Sequence, residues 1–213
     1  MQWTETFLES VRDDLSISAV IAIGSAVRPN EAPADLDLVV ICRESLNVRR
    51  SRPMEVDLRV YRADDMDRLI AEGHDVLGWA IKFGQVLFQR SGFWDMTLSR
   101  WKNELPLPSP ETPRMRARET RRRFLSVLEI GDLDAALEQA ISCLTHLAWA
   151  ELLERGVFPA SRRELPSQLR AVDSHRLADS LEGLLDADSE QPETRERLEV
   201  IVAKPPEAIT VDS

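Results

Sequence analysis

Two acidic residues at strand spacing, Asp35 and Asp37, follow a Gly24-Ser25 pair after nine intervening residues, and a third, Asp57, sits in the alternating run Val56-Asp57-Leu58-Arg59. Residues two apart on a strand share a face, so Asp35 and Asp37 are expected to project together while Leu36 and Leu38 enter the core. Side-by-side carboxylates repel unless a cation lies between them, and hard oxygen ligands are what Mg²⁺ prefers. The pair reads as a metal site, to which Asp57 can bring a third carboxylate if its strand is a neighbour. Three carboxylates suit a two-metal clamp. Gly24-Ser25 closes a buried apolar run. A glycine there permits close backbone approach, and Ser25 offers a hydroxyl and amides to a phosphate.

These residues need a scaffold, and the sequence supplies one. Trp3, Phe7, Leu8, Val11 and Leu15 recur at helical spacing over residues 3–15, with Glu5, Glu9 and Asp13 between them. The β-branched run at 17–23 is a buried strand, and 35–42 and 54–62 are two more. Pro29, Asn30 and Pro33 mark 26–34 as a loop, and the join at 43–53 is polar and basic. From Asp64 the pattern is helical to about Phe83, Gly84 closes it, and 85–89 is an edge strand.

Pro106, Pro108, Pro110 and Pro113 crowd one short segment that is expected to hold neither helix nor central strand. The chain therefore divides into a first domain over 1–105, a Pro-rich linker over 106–113, a helical bundle over 114–204 and a tail over 205–213. In the bundle, helices are expected at 114–130, 133–155, 167–172, 174–185 and 193–203. Asp132 is the N-cap of the second, whose Leu137, Ile141, Leu144, Ala148 and Leu152 form an apolar stripe. The fold class is α+β: a small mixed sheet flanked by helices, then an all-α bundle.

Composition narrows the function. Thirty-seven acidic against 27 basic residues give a net charge of −10, so no global positive field draws in a polyanion. Cys42 and Cys143 are too few for a disulfide framework or a zinc pattern, and are expected to be buried thiols. No signal peptide opens the chain and no apolar run reaches the roughly 18 residues of a membrane span, which points to a cytoplasmic protein without a membrane partner.

The set hydrophobic-Gly24-Ser25, nine residues, Asp35-Leu36-Asp37-Leu38, then Val56-Asp57-Leu58 on a later strand resembles the polymerase-beta-like nucleotidyltransferase superfamily. The match runs closely over residues 17–62, and Trp79-Ala-Ile-Lys82-Phe-Gly84 with Val86-Leu87-Phe88 is similar to the end of small nucleotidyltransferase domains. The resemblance implies that Gly24 and Ser25, assisted by Arg28, bind a nucleoside triphosphate, with Lys82 a further phosphate contact. It implies that Asp35, Asp37 and Asp57 hold Mg²⁺, and that Asp57 helps deprotonate the attacking hydroxyl. The reaction implied is in-line attack of an acceptor hydroxyl on the α-phosphorus, with pyrophosphate leaving. Pro29 and Ala34 depart from the usual Gly and Ser of the motif.

The second half resembles the helical domain of kanamycin-type nucleotidyltransferases and the related HEPN bundles. That resemblance rests on Gly131-Asp132 to Ala136, the helix to Arg155-Gly156, and Pro159 to Pro166. Such a bundle is the acceptor side, and Glu138 or Glu151 would be its base, although each is more simply a solvated helix residue. The acceptor implied is an aminoglycoside-like small molecule, which an acidic protein attracts; a protein or an RNA, as in toxin-antitoxin relatives, is the alternative, and a nucleotide-binding regulatory module without turnover is another.

Six arginines between 114 and 123 are the one dense basic run, which reads more simply as a solvated face, although Arg114, Arg118, Arg121 and Arg122 can share a helix side able to meet triphosphate or RNA. Arg170 and His175 have the Arg-x4-His spacing of HEPN ribonucleases but read more simply as structural. His74 is read as a loop histidine and His146 as a helix histidine with its hydrogen bonds satisfied.

Overall fold

The computed structural model describes residues 2–28, 35–44, 53, 55–189 and 191–203. Pro29, Pro33, Ala34, most of the basic join, the first residue of the 54–62 strand and the tail from 205 lie outside the described residues. The chain forms two compact units, Met1–Pro108 and Ser109–Ser213.

In the first unit, α1 (Gln2–Asp13) leads into β1 (Ile17–Ile23), followed by β2 (Leu36–Cys42), β3 (Val56–Arg62), α2 (Met66–Ala71), α3 (Asp75–Phe83), β4 (Gln85–Gln89) and α4 (Phe93–Trp101). The sheet order is β3-β2-β1-β4. β1 runs antiparallel to β2 and β4, whereas β2 and β3 are parallel. Every residue of β1 is buried, as a central strand covered on both faces requires. On one face Val20, Ala22, Leu38, Val40 and Val56 pack with Phe7 and Val11 of α1. On the other, Ala19, Ile21, Ile23, Val39 and Ile41 pack with Met66, Ile70, Leu77, Ala80, Ile81 and Trp94 from α2, α3 and α4.

Three expectations for this unit are corrected. Leu15 is 73% exposed, because α1 stops at Asp13 and Leu15 lies in the turn to β1. The helical stretch after Asp64 is two helices: α2 ends at Ala71, and His74 starts α3 by accepting the Leu77 N–H at 3.5 Å, so His74 is a helix cap. Residues 93–101, assigned no element from the sequence, form α4, whose Trp94 is fully buried. Its signal was Trp94, Leu98 and Trp101 at i, i+4 and i+7 after a Gly92 turn.

The second unit holds α5 (Glu111–Glu129), α6 (Leu133–Glu154), α7 (Leu165–Ala171), α8 (His175–Leu185) and α9 (Pro192–Ala203). The helix α5 begins inside the proline-rich stretch: Pro113 falls in its first turn, where the missing N–H has no intrahelical acceptor to lose. Asp132 caps α6, its carboxylate accepting the Ala135 N–H at 3.1 Å. Ile141, Leu144, Ala148 and Leu152 are buried and Leu137 half-buried in a core shared with Phe124, Leu165, Leu169, Leu181 and Leu198. Ser161 and Glu164 form a capping box before α7. Cys42 and Cys143 are buried thiols outside any disulfide. Among the described residues no helix is long and apolar enough to cross a membrane.

Candidate functional site

The strand directions gather the chemistry-bearing residues at one end of the sheet. Because β1 is antiparallel to β2 and β2 parallel to β3, the end of β1 lies at the same end of the sheet as the starts of both. Ile23 pairs with Asp37, and Asp37 in turn pairs with Asp57. Cross-strand partners share a face, so the two carboxylates are side-by-side neighbours on adjacent strands. Alternation puts them on the face of Val39 and Ile41, while Leu38 and Val56 enter the opposite core.

Gly24 follows directly, with φ +76° and ψ −158°. That backbone region is essentially restricted to glycine. A Cβ built on Gly24 would lie 2.7 Å from Asp37 Oδ2, so the chain passes tightly over the carboxylate. Ser25 begins a single 3-10 turn, Ser25–Val27, which the Arg28 N–H closes by donating to Ser25 O at 3.0 Å. The start of β4 comes to the same end, since Gln85 pairs with Ala22. Lys82, in the last turn of α3 just before it, is exposed.

β2 begins at Leu36, so Asp35 is an exposed residue at the strand mouth, immediately before the strand. Its charge still reaches Asp37. Burial pushes the Asp37 carboxyl above the usual carboxylate range, Arg59 pulls it back, and the negative charges of Asp57 and then Asp35 raise it further. The Arg59 Nε donates to Asp57 Oδ2 at 3.2 Å. Arg59 was not singled out from the sequence as a site residue. Its signal was the two-residue spacing from Asp57, which keeps both on one strand face.

The donor chemistry suits a hard cation, because Mg²⁺ is commonly held by one or two carboxylates with substrate phosphates completing the shell. Asp37 and Asp57 are such a pair. Among the described residues, however, no three His, Cys, Asp or Glu side chains converge into a group that could hold a metal ion as they stand. The three-carboxylate set expected from the sequence is a facing pair with Asp35 joined to it through charge.

The candidates in the second unit are engaged in structural contacts. Glu138 accepts from Arg162 at 3.1 Å. Glu151 is mostly buried, pairs with Arg155 at 2.8 Å and accepts the Ser174 hydroxyl at 2.8 Å. Arg170 is held by Glu182 at 2.6 Å and Asp179 at 2.8 Å, which occupies its guanidinium. His146 differs from expectation: its Nδ1 is buried without a hydrogen-bond partner among the described residues. Burial, together with the charges of Arg116 and Arg162, lowers its pKa to about 4. On α5, Arg114 pairs with Glu111 and Glu154, and Arg123 with Glu119.

No protein family matches the sequence, and no curated protein does. Among solved structures, the chain is similar to a nucleotidyltransferase-like protein from Exiguobacterium sibiricum, at 19% identity and a TM-score of 0.42, over 98% of this chain and 76% of that one. A likeness of that size assigns neither a family nor an activity.

Proposed function

We propose that the first unit is a Mg²⁺-dependent nucleotidyltransferase that moves a nucleoside monophosphate from a nucleoside triphosphate to an acceptor hydroxyl, releasing pyrophosphate. The observation that carries this reading is the cross-strand pairing of Asp37 with Asp57 beneath the Gly24 backbone. Two carboxylates at paired strand positions favour a shared cation, and the Asp37 carboxyl, raised chiefly by burial, is raised further by the charges of Asp57 and Asp35.

In this reading Asp37 and Asp57, with Asp35 drawn in from the strand mouth, would hold Mg²⁺, whose contribution is to neutralise phosphate charge and acidify the attacking hydroxyl. Gly24 and Ser25 offer backbone amides and a hydroxyl to the triphosphate. Arg28 and Lys82 supply positive charge at the same sheet end. Asp57, next to Asp37 and exposed enough to meet a substrate, is the group that would receive the proton of the acceptor.

For the acceptor, the net charge of −10 favours a polycationic small molecule such as an aminoglycoside. A second reading, transfer to RNA or protein, draws on the arginine run of α5. The test is incubation with Mg²⁺ and each α-labelled nucleoside triphosphate, with aminoglycosides, total RNA and cell protein supplied as separate acceptors. Label in one acceptor pool, lost in the Asp35→Asn/Asp37→Asn double variant, supports the reading and identifies the acceptor class. Triphosphate binding with no label in any pool contradicts transfer and leaves a nucleotide-binding module.

A further inference from the structure

The end of α3 is fitted to the sheet with no room to spare. A Cβ on Gly84 would lie 2.5 Å from Ala80 O and 2.7 Å from Ile21 Cγ2. This close approach, with Gln85 paired to Ala22, carries Phe83 to the sheet end that bears Asp37 and Asp57. From the other side, β1 passes through Gly24 and Ser25 into the 3-10 turn that Arg28 closes. The two segments meet there: the Arg28 guanidinium carbon lies 4.8 Å from the centroid of the Phe83 ring. That is within the roughly 6 Å of a cation–π contact. Trp79, which packs on the core of this face, stands behind Phe83 with ring centroids 5.1 Å apart.

We infer that Phe83 is a positioning residue, whose ring holds the Arg28 guanidinium beside the Gly24-Ser25 turn for the triphosphate of the nucleotide. The inference rests on the function proposed above and adds a residue to it. An arginine has several rotatable bonds, and restraining it before binding removes part of the entropy that phosphate capture would otherwise cost. Trp79 and the tight seat at Gly84 in turn fix the ring.

The experiment measures Mg²⁺-nucleoside triphosphate binding by calorimetry for the unmodified chain, Phe83→Leu, Phe83→Tyr, Arg28→Ala, and the Arg28→Ala/Phe83→Leu double variant. Phe83→Leu keeps the apolar volume and should weaken binding about three- to five-fold, the scale of an exposed cation–π contact. Phe83→Tyr should bind within about two-fold of the unmodified chain, since its ring still carries the arginine. The double variant should bind no more weakly than Arg28→Ala alone, because Phe83 acts through Arg28. Unchanged binding in Phe83→Leu, failure of Phe83→Tyr to restore it, or additive losses in the double variant would each overturn the inference while leaving the nucleotidyltransferase reading intact. No triphosphate binding by the unmodified chain would overturn both.

Discussion

The backbone of Gly24 runs so close over Asp37 that a Cβ would stand 2.7 Å from its Oδ2, and it does so at a φ of +76°. Gly24→Ala therefore strains the backbone and presses on the carboxylate at once. The expected result is a stability loss of about 1–3 kcal/mol, with transfer activity falling further than the lost folded fraction explains. Denaturant unfolding alongside initial rates checks both parts; unchanged rates would mean that the close approach does not set the position of Asp37.

Gly84 is constrained by space alone. A methyl group there meets a backbone carbonyl, Ala80 O, at 2.5 Å, and a carbonyl inside a helix cannot swing aside as a side chain does. Gly84→Ala should cost about 1–3 kcal/mol, the range of overpacked cores. A thermal melt equal to that of the unmodified chain would contradict the tight seating of α3 on β1.

The His146 pKa is lowered to about 4 by burial first and by the charges of Arg116 and Arg162 after it. The unfolded chain takes up a proton as the pH falls through the ordinary histidine value of about 6.5, whereas the folded chain resists until about 4. Stability fully present above the first value is thus lost between the two. Chemical denaturation from pH 7 to pH 4 should show His146→Gln losing less stability over this window than the unmodified chain. Parallel pH profiles would show that His146 takes up its proton in the folded state.

Much of this architecture was legible because strong periodic signals and local caps agree with the packing. The run Ile17–Ile23 is buried at every position, as a central strand must be, and the Asp132 cap follows from its chemistry and place before an apolar stripe. The helix α4 was missed although Trp94, Leu98 and Trp101 carry its period, because no N-cap side chain announces its start. The proline-rich stretch reads as a break throughout, since prolines disfavour helix interiors, but the first turn of α5 tolerates Pro113 because an N–H there has no intrahelical acceptor.

The candidate site was legible through spacing, which located Gly24, Asp37 and Asp57. Register was not. Only the parallel pairing of β2 with β3 makes Asp37 and Asp57 direct neighbours, and a slip of one residue would put them on opposite faces. The place of Asp35 at the strand mouth, the Arg59 contact with Asp57 and the Phe83 contact with Arg28 all arise from tertiary positions that a linear pattern does not encode.

The most direct test of the account is the rate of Mg²⁺-dependent nucleotidyl transfer in Asp37→Asn and Asp57→Asn, measured beside thermal melts without divalent cations. Outer-shell partners of a metal site alone are worth about 10- to 100-fold, so loss of either carboxylate should lower the rate by more than about 100-fold. Burial is the main cause that raises the Asp37 carboxyl, so Asp37→Asn, which removes a charge from that half-buried place, should not melt below the unmodified chain. Transfer retained at the unmodified rate in either variant would contradict the assignment of this carboxylate pair as the catalytic centre.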